Sequence, residues 1–185
     1  MKEKYAARNV RGKAREGRVS QIVWACFAGD ILGPIAFIDT TEKQDDYISL
    51  LDQFLVPFIK VLNANGQTNL EFQQDNARPH VAKRTKDYLK LIAESHQLKV
   101  MEWPPNSPDM NPIENLWAHL KRELHLRYPD TMLFKGSPET IKATLRQRLN
   151  VVWQDIGRDV LRTLVESMPQ RVHALLEAKG WYTKY

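Results

Sequence analysis

The sequence predicts an α/β protein in which a mixed sheet is flanked by helices and followed by a helical C-terminal part. Three observations predict this fold class. Strand-like and helix-like segments alternate up to about residue 103, only helical patterns follow residue 112, and 185 residues is the length of one domain. With 43% apolar and 26% charged residues, the composition is that of a globular protein and excludes disordered and fibrous classes.

A β-hairpin and a long helix are predicted first. Two runs rich in Val, Ile, Trp and Phe, residues 21–28 and 34–38, flank a turn at residues 29–30. Thr41, with Gln44 three residues later, predicts a capping box, and apolar residues then recur at helical spacing up to residue 62. The predicted order of these elements is therefore β-β-α.

Two further strands and five helices are predicted downstream. The strands are short segments that contain apolar residues, and the helices have apolar residues three and four positions apart. The predicted strands are 70–74 and 98–103, and the predicted helices are 81–96, 112–128, 138–156, 160–167 and 169–179. The order β-β-α-β-α-β followed by helices indicates a mixed sheet with helices on its faces.

The excess positive charge lies at one end of the chain. Residues 1–18 contain seven Lys or Arg against two Glu, and their net charge of +5 equals that of the whole chain. A basic N-terminal arm ahead of a neutral body is typical of contact with a phosphate backbone, and a solvated leader without a partner is the alternative. The arm residues that would contact nucleic acid are Arg8, Arg11, Lys13, Arg15 and Arg18.

Cysteine content and hydropathy indicate the compartment. Cys26 is the only cysteine and lies in an apolar run, so we expect it to pack in the core and expect a reducing compartment. No stretch approaches the ~18 consecutive apolar residues of a membrane span, and the first residues, MKEKYAARNV, contain no apolar signal segment. We therefore expect an intracellular, soluble protein with no membrane partner.

Asp75, in FQQDNARPH (72–80), is the first candidate site residue. It follows directly on a predicted strand, and the carboxyl ends of strands in open α/β sheets are common positions for sites. The alternative is an Asx turn closed by Asp75 or Asn76 ahead of the next helix. His80 could orient Asp75 or contact a phosphate, and a local turn or capping role is its alternative.

Glu114, in WPPNSPDMNPIENLW (103–117), is the second candidate. Asn111, Pro112 and Glu114 supply an N-cap, a proline at N1 and a glutamate at N3, so helix capping alone explains them. The same geometry holds a carboxylate rigidly at a helix entrance, where it could share a divalent cation with an acid on a neighbouring strand. Metal-assisted phosphoryl transfer uses two Mg²⁺ or Mn²⁺ ions bound by carboxylates, and it usually needs three acids; the sequence places two.

Five segments resemble the catalytic domain of mariner-like transposases, the DDE type of the Tc/mariner superfamily. They occur in the family's order: VWACF (23–27), LGPIAFID (32–39), FQQDNARPH (72–80), MEWPPNSPDMNPIENLW (101–117) and KGWYTKY (179–185). The resemblance implies an RNase H-like catalytic domain over residues 19–185. It also implies an active site in which two aspartates and a final acid bind two metal ions, Mg²⁺ or Mn²⁺.

The resemblance assigns roles to individual residues. It implies that Asp75 is the second aspartate and Glu114 the final acid. Asn76, His80 and Asn111, which lie in the same two segments, are candidate supporting residues. The first aspartate is not matched, because no apolar strand with a central Asp occurs in residues 1–22. Asp30 falls in the hairpin turn and Asp39 ends the hairpin's second strand, so neither matches that position.

The unmatched aspartate leads to further expectations. The resemblance implies an RNase H-like sheet that lacks its first strand, an N-terminally truncated catalytic domain, and impaired strand cleavage and transfer in DNA transposition. The implied partners are the transposon's terminal inverted repeats and target DNA, a homodimer is compatible with the sequence, and the implied location is the nucleus. Two alternatives stay open: a non-catalytic nucleic-acid-binding or domesticated protein that uses the basic arm, and a folding-defective remnant with an exposed sheet edge.

Overall fold

The computed structural model describes residues 9–14, 17–39, 43–105, 107–133, 136–178 and 183. The chain folds as two compact units. The first contains Thr40–Ser107, and the second contains Ala7–Asp39 together with Pro108–Tyr185. The C-terminal helices pack on the N-terminal hairpin, so the second unit combines segments from before and after the first. The assignment of residues 19–185 to one catalytic domain stays a prediction.

Apart from a strand at Asn9–Ala14 and a short helix at Arg78–Val81, the helices and strands follow the predicted order. The two hairpin strands are longer than predicted, and the strands at Leu70–Phe72 and Leu98–Val100 are shorter. The strands are β1 Asn9–Ala14, β2 Gly17–Ala28, β3 Ile31–Ile38, β4 Leu70–Phe72 and β5 Leu98–Val100. The α-helices are α1 Gln44–Leu50, α2 Val56–Ala64, α3 Arg78–Val81, α4 Lys83–His96, α5 Pro112–Arg127, α6 Pro138–Gln154, α7 Arg158–Glu166 and α8 Met168–Glu177. A π-helical turn at Leu51–Leu55 joins α1 to α2, and 3₁₀ turns lie at Pro108–Met110 and Pro129–Leu133.

The second unit begins with a three-stranded antiparallel sheet in the order β1-β2-β3. The predicted hairpin between β2 and β3 is confirmed, because Ala28 faces Ile31 across a two-residue turn. Gly29, the first residue of this turn, has a φ of +58°. Two-residue hairpin turns need such left-handed backbone, and glycine adopts it without steric penalty.

Strand β1 corrects the prediction that residues 1–18 form an arm ahead of the body. Its residues pair with β2 in continuous register from Asn9 opposite Ile22 to Ala14 opposite Gly17, so this part of the predicted arm belongs to the sheet. In NVRGKA, polar or charged residues alternate with small or apolar ones, a period of two that is typical of a strand. The many charged residues in this part of the chain make the alternation difficult to recognise from the sequence. The segment contains no aspartate, so it does not supply the unmatched first acid.

We expect Gly29→Ala to lower the free energy of unfolding by about 1 kcal/mol, because an L-residue is strained in left-handed backbone. A β-carbon at this position would meet no atom within 4 Å, so conformation alone sets the cost. Gly29→Asn is the matched control, since asparagine tolerates this conformation, and we expect it to be close to neutral. Urea unfolding followed by circular dichroism measures both changes. Equal losses in the two variants would contradict the role of φ.

The core of the second unit lies between the sheet and helices α5 to α7. Its buried residues are Val23, Ala25, Leu116, Trp117, Leu120, Leu124, Leu145, Leu149, Val152, Trp153, Ile156 and Leu161. Trp153 is 2% exposed, and its ring centroid lies 5.8 Å from that of Trp117. Its Nε1 donates a hydrogen bond to the carbonyl of Gly33 (2.9 Å), so the one polar group of the buried ring is satisfied.

The first unit contains a parallel strand pair. Strands β4 and β5 pair in register from Leu70 opposite Leu98 to Phe72 opposite Val100, and α3 and α4 make the crossover between them. Helix α4 packs with Leu89 and Ile92 buried. Among the described residues, the strands thus form two sheets, one of three strands and one of two.

The predicted capping box of the long helix is wrong in its residues. The helix begins at Gln44 with Lys43 as N-cap, so Gln44 occupies N1 and not N3. The carboxylate of Asp46, which does occupy N3, accepts a hydrogen bond from the Lys43 backbone N–H (3.0 Å) and fixes this start. Thr41 lies outside the described residues.

The π-helical turn at Leu51–Leu55 has a local cause. Pro57 lacks an N–H and its ring would clash with the carbonyl four residues earlier in a regular α-helix. The turn widens just before it, and the Val56 N–H donates to the carbonyl of Leu51, five residues back. The wider turn keeps Leu51 and Leu55 on the buried face.

The continuous helical segment Gln44–Ala64 is long and apolar enough to cross a membrane, by length and composition alone. The core helix of a globular unit meets the same criteria, so this is weak evidence for a membrane span. The segment has a buried stripe formed by Tyr47, Leu51, Leu55, Ile59 and Leu62. One buried face is typical of a core helix.

Candidate functional site

Asp75 lies three residues after β4, where the chain leaves the parallel strand pair. Its Oδ1 accepts a hydrogen bond from the backbone N–H of Ala77 (3.0 Å), which is an Asx turn. The side chain is 31% exposed. The Asx turn that was one alternative for Asp75 is therefore present, and it fixes one carboxylate oxygen.

His80 contacts the same oxygen. Its Nδ1 lies 2.6 Å from Asp75 Oδ1 and 3.3 Å from the Asp75 carbonyl oxygen. Because both neighbours are acceptors, this ring nitrogen must carry the hydrogen. His80 thus contacts Asp75 in the structure, and a contact with a phosphate stays a prediction. Among the described residues, Asp75 Oδ2 accepts no hydrogen bond.

The imidazole of His80 is held in place by its neighbours. Its ring stacks on that of Tyr47, with centroids 4.1 Å apart, and the His80 side chain is only 10% exposed. The Tyr47 hydroxyl donates to Gln74 Oε1 (2.6 Å), and Gln74 Nε2 donates to the His80 carbonyl (3.4 Å). Thr85 Oγ1 donates to the carbonyl of Pro79 (2.7 Å). These contacts restrict both the ring and the backbone that carry the Asp75 contact.

Asn76 has a connecting role in the structure. Its Nδ2 donates a hydrogen bond to the carbonyl of Trp103 (2.9 Å), which ties the segment after β4 to the segment after β5. Asn76 is exposed. Asn76 is therefore a bridge between two loops of the first unit, and its supporting role at a metal site stays a prediction.

Glu114 lies in the second unit, in the first turn of α5. The predicted N-cap is confirmed, because the Asn111 side chain accepts a hydrogen bond from the Ile113 N–H (3.4 Å). The Glu114 N–H donates to the Asn111 carbonyl (3.1 Å), and Pro112 is buried at N1. The Oε2 atom of Glu114 is buried, and the residue interacts with its surroundings. The helix entrance thus holds the position of Glu114.

A buried arginine lies next to this entrance and is absent from the sequence-based site. Arg171 on α8 is 2% exposed and donates to the Asp109 carbonyl (2.6 Å), Asn115 Oδ1 (3.0 Å) and Ser167 Oγ (2.8 Å). The Asp109 carboxylate accepts hydrogen bonds from the backbone N–H (3.0 Å) and the hydroxyl (2.7 Å) of Thr183. The sequence contains no signal for this cluster, because an arginine within a helical pattern is usually solvated.

Asp30 and Asp39, the two acids that do not match the first aspartate, are engaged elsewhere. Asp30 pairs with Arg162 (3.0 Å), and Asp39 forms ion pairs with Arg146 and Lys142. Hydrogen bonds from Arg162 and Arg146, respectively, lower the pKa of these two carboxyl groups. Both acids therefore have structural partners in the second unit.

The remaining predicted site residues are only partly described. Arg8 and Arg15 lie outside the described residues, and Arg11, Lys13 and Arg18 are described by backbone alone, within β1 and β2. Within the ranges that the structure describes, no group of three or more His, Cys, Asp or Glu side chains could hold a metal ion. The pairing of Asp75 with Glu114, which lie in different units, stays a prediction.

The fold is that of a transposase catalytic domain. The structure of the Mos1 transposase catalytic domain with raltegravir and Mg superposes with a TM-score of 0.70 at 16% identity, over 96% of this chain and 83% of that one. The Mos1 transposase paired-end complex with the left transposon end gives a TM-score of 0.65 at 17% identity, over 98% of this chain and 48% of that one. The predicted RNase H-like fold is confirmed by these neighbours.

The chain belongs to the DDE superfamily endonuclease family, whose model matches residues 4–132. Two transposases of Caenorhabditis briggsae are similar to it. The transposable element Tcb1 transposase is 31% identical over 182 residues, which cover 98% of this chain and 60% of the relative. The Tcb2 transposase is 32% identical over 171 residues, which cover 92% and 56%. The chain therefore spans about three fifths of the length of these relatives, and the predicted transposase family is confirmed.

Proposed function

We propose that this chain carries two metal-binding acids of a DDE transposase, and that the whole protein performs metal-dependent DNA strand cleavage and strand transfer. The observation that carries the proposal is the state of Asp75. Its side chain is partly exposed. One of the carboxylate oxygens is fixed by Ala77 and His80, and the other accepts no hydrogen bond from the described residues. Membership of the DDE endonuclease family supports the assignment.

The donor set at these positions fits divalent metal ions. Mg²⁺ and Mn²⁺ take oxygen ligands from carboxylates, so Asp75 and Glu114 would hold them. The Mos1 catalytic domain has been solved with raltegravir and either Mg or Mn, which supports the choice of ions for a protein of this fold. When bound, two such ions activate the attacking water or hydroxyl and stabilise the leaving oxygen.

The chain's own residues prepare the two carboxylates. His80 and the Ala77 N–H both donate to Oδ1 of Asp75, which leaves Oδ2 as the oxygen available to a ligand. Hydrogen-bonded ligating carboxylates keep a defined orientation. Asn111 begins α5 and holds Glu114 at its entrance. The Asp75 carboxylate and the backbone of Glu114 are therefore held in place before a ligand arrives.

DNA is the proposed substrate and partner. The Mos1 paired-end complex contains a transposon end, and by analogy we propose that the whole protein binds its own terminal inverted repeats and target DNA. Arg8, Arg11, Lys13, Arg15 and Arg18 would contact phosphates and make binding salt-dependent. A nuclear location and a homodimer belong to the same proposal.

A nicking assay on DNA that carries Tcb1-type terminal repeats tests the function. We expect slow Mg²⁺- or Mn²⁺-dependent nicking by this chain, because two carboxylates leave a metal pair under-ligated. We expect Asp75→Asn and Glu114→Gln each to remove it, while salt-dependent DNA binding is retained.

Other outcomes of the assay would change the proposal. Nicking that continues unchanged in both variants would contradict it. Fast nicking that Asp75→Asn abolishes would show that another residue supplies the third ligand. If DNA binding is independent of Mg²⁺, Asp75 and Glu114, and no nicking occurs under any condition, a non-catalytic DNA-binding protein is favoured.

A further inference from the structure

Arg171 connects three parts of the second unit that meet at the entrance of α5. Its guanidinium donates to the Asp109 carbonyl in the 3₁₀ turn before α5, to the Asn115 side chain in the first turn of α5, and to Ser167 just before α8. At 2% exposure, Arg171 is among the most buried charged side chains described. Water cannot replace its hydrogen bonds when they are lost, because the site is closed to solvent.

Two of the three partners lie on opposite sides of the helix cap. Asp109 precedes the N-cap Asn111 by two residues, and Asn115 follows it by four. One guanidinium therefore bridges the incoming chain and the first helical turn, and the residue next to Asn115 in the sequence is Glu114. A change in the direction of α5 relative to this turn would break at least one of the two hydrogen bonds.

The chemistry of the site favours arginine over lysine. A guanidinium presents five N–H donors in a rigid plane, and three of its nitrogens are used here on three separate acceptors. A lysine ammonium is a compact group on a flexible stem and cannot span the same acceptors with fixed geometry. The incoming turn is held a second time, because the Asp109 carboxylate accepts two hydrogen bonds from Thr183.

We propose that Arg171 is a positioning residue that fixes the entrance of α5 and thereby the orientation of Glu114. The effect on metal binding rests on the function proposed above, because it requires Glu114 to be a ligand. The fixing of the helix entrance does not depend on that function. The two parts of the inference can therefore be measured separately.

Amide hydrogen exchange at the start of α5 tests the first part. The Ile113 and Glu114 N–H groups donate to Asn111, so their exchange reports whether the cap is intact. We expect exchange at these two amides to be about tenfold faster or more in Arg171→Met, and intermediate in Arg171→Lys. Arg148→Met is the matched control, because Arg148 makes comparable hydrogen bonds to Asp130 and Thr131, away from this entrance.

A milder variant keeps the test decisive if Arg171→Met does not fold. Asn115→Ala removes one side of the bridge and leaves the arginine in place, so we expect a smaller acceleration at the same amides. Circular dichroism verifies that each variant used is folded. Unchanged exchange at Ile113 and Glu114 in folded Arg171→Lys and Asn115→Ala would overturn the inference, and so would equal acceleration in Arg148→Met.

Mn²⁺-induced broadening of the Glu114 amide signal in NMR spectra tests the second part. We expect Arg171→Lys to require about ten to a hundred times more Mn²⁺ for the same broadening, as is usual when a support of a metal ligand is lost. Glu114→Gln separates the two proposals. Unchanged broadening in Glu114→Gln would refute the ligand role of Glu114, and the exchange measurement would still decide whether Arg171 fixes the helix entrance.

Discussion

We expect Mn²⁺ to broaden the backbone amide signals around Asp75 in the unmodified chain, and we expect Asp75→Asn to weaken this effect strongly. This is the expected result if Asp75 is a metal ligand. Asparagine has the same shape, and its Oδ1 can still accept from Ala77, so the Asx turn remains while the negative charge is lost. We expect an apparent Mn²⁺ affinity at least about tenfold lower, because loss of a ligand costs more than loss of its support.

Two control variants define this result. Asp87→Asn removes an exposed acid from α4 of the same unit and is expected to leave the broadening unchanged. His80→Phe keeps an aromatic ring against Tyr47 but removes the donor to Asp75, so we expect an intermediate loss of affinity. Equal broadening in Asp75→Asn and the unmodified chain would refute the role of Asp75.

Trp153→Ala is expected to lower the free energy of unfolding by about 3–5 kcal/mol, which is the usual cost of a large-to-small change in a close-packed core. Trp153 is 2% exposed, packs beside Trp117 and donates to the Gly33 carbonyl. The cavity removes contacts between α6 and the sheet, and the Gly33 carbonyl loses its partner. For a chain of this size the loss corresponds to a Tm lower by about 6–20 °C, measurable by circular dichroism.

Two further variants separate packing from hydrogen bonding in this core. Trp153→Phe removes the N–H and part of the ring, and we expect it to cost less than the alanine variant. Leu176→Ala removes a side chain that is 72% exposed on α8, so we expect a change within about 0.5 kcal/mol. A loss below about 1 kcal/mol for Trp153→Ala would contradict its place in the core.

Most of the predicted fold follows from local sequence patterns. The hairpin follows from two apolar runs around Gly29, and its two-residue turn is set by the backbone freedom of that residue. The start of α5 follows from Asn111 and Pro112, whose local chemistry suffices to begin a helix. Asp75 could be recognised as a candidate site residue because its position after a strand and its motif are both local features of the sequence.

The features that could not be predicted from the sequence depend on contacts between residues that are distant in the chain. Strand β1 is stabilised by pairing with β2, whereas its high content of charged residues does not by itself predict a strand. Arg171 acquires its role only when α8 lies beside residues more than fifty positions earlier. The contact of His80 with Asp75 depends on a short helix and on stacking with Tyr47, so sequence reasoning could offer it only as one of several roles.

The π-helical turn ahead of Pro57 affects how this chain should be aligned with relatives. It accommodates one more residue per turn than the helices on either side, so positions before and after it follow different helical phases. A relative without a proline here would need one residue fewer to keep the same buried positions. An alignment that forbids a single-residue gap at Leu51–Leu55 would then shift half of this helix, and inward-facing residues would be matched to outward-facing ones.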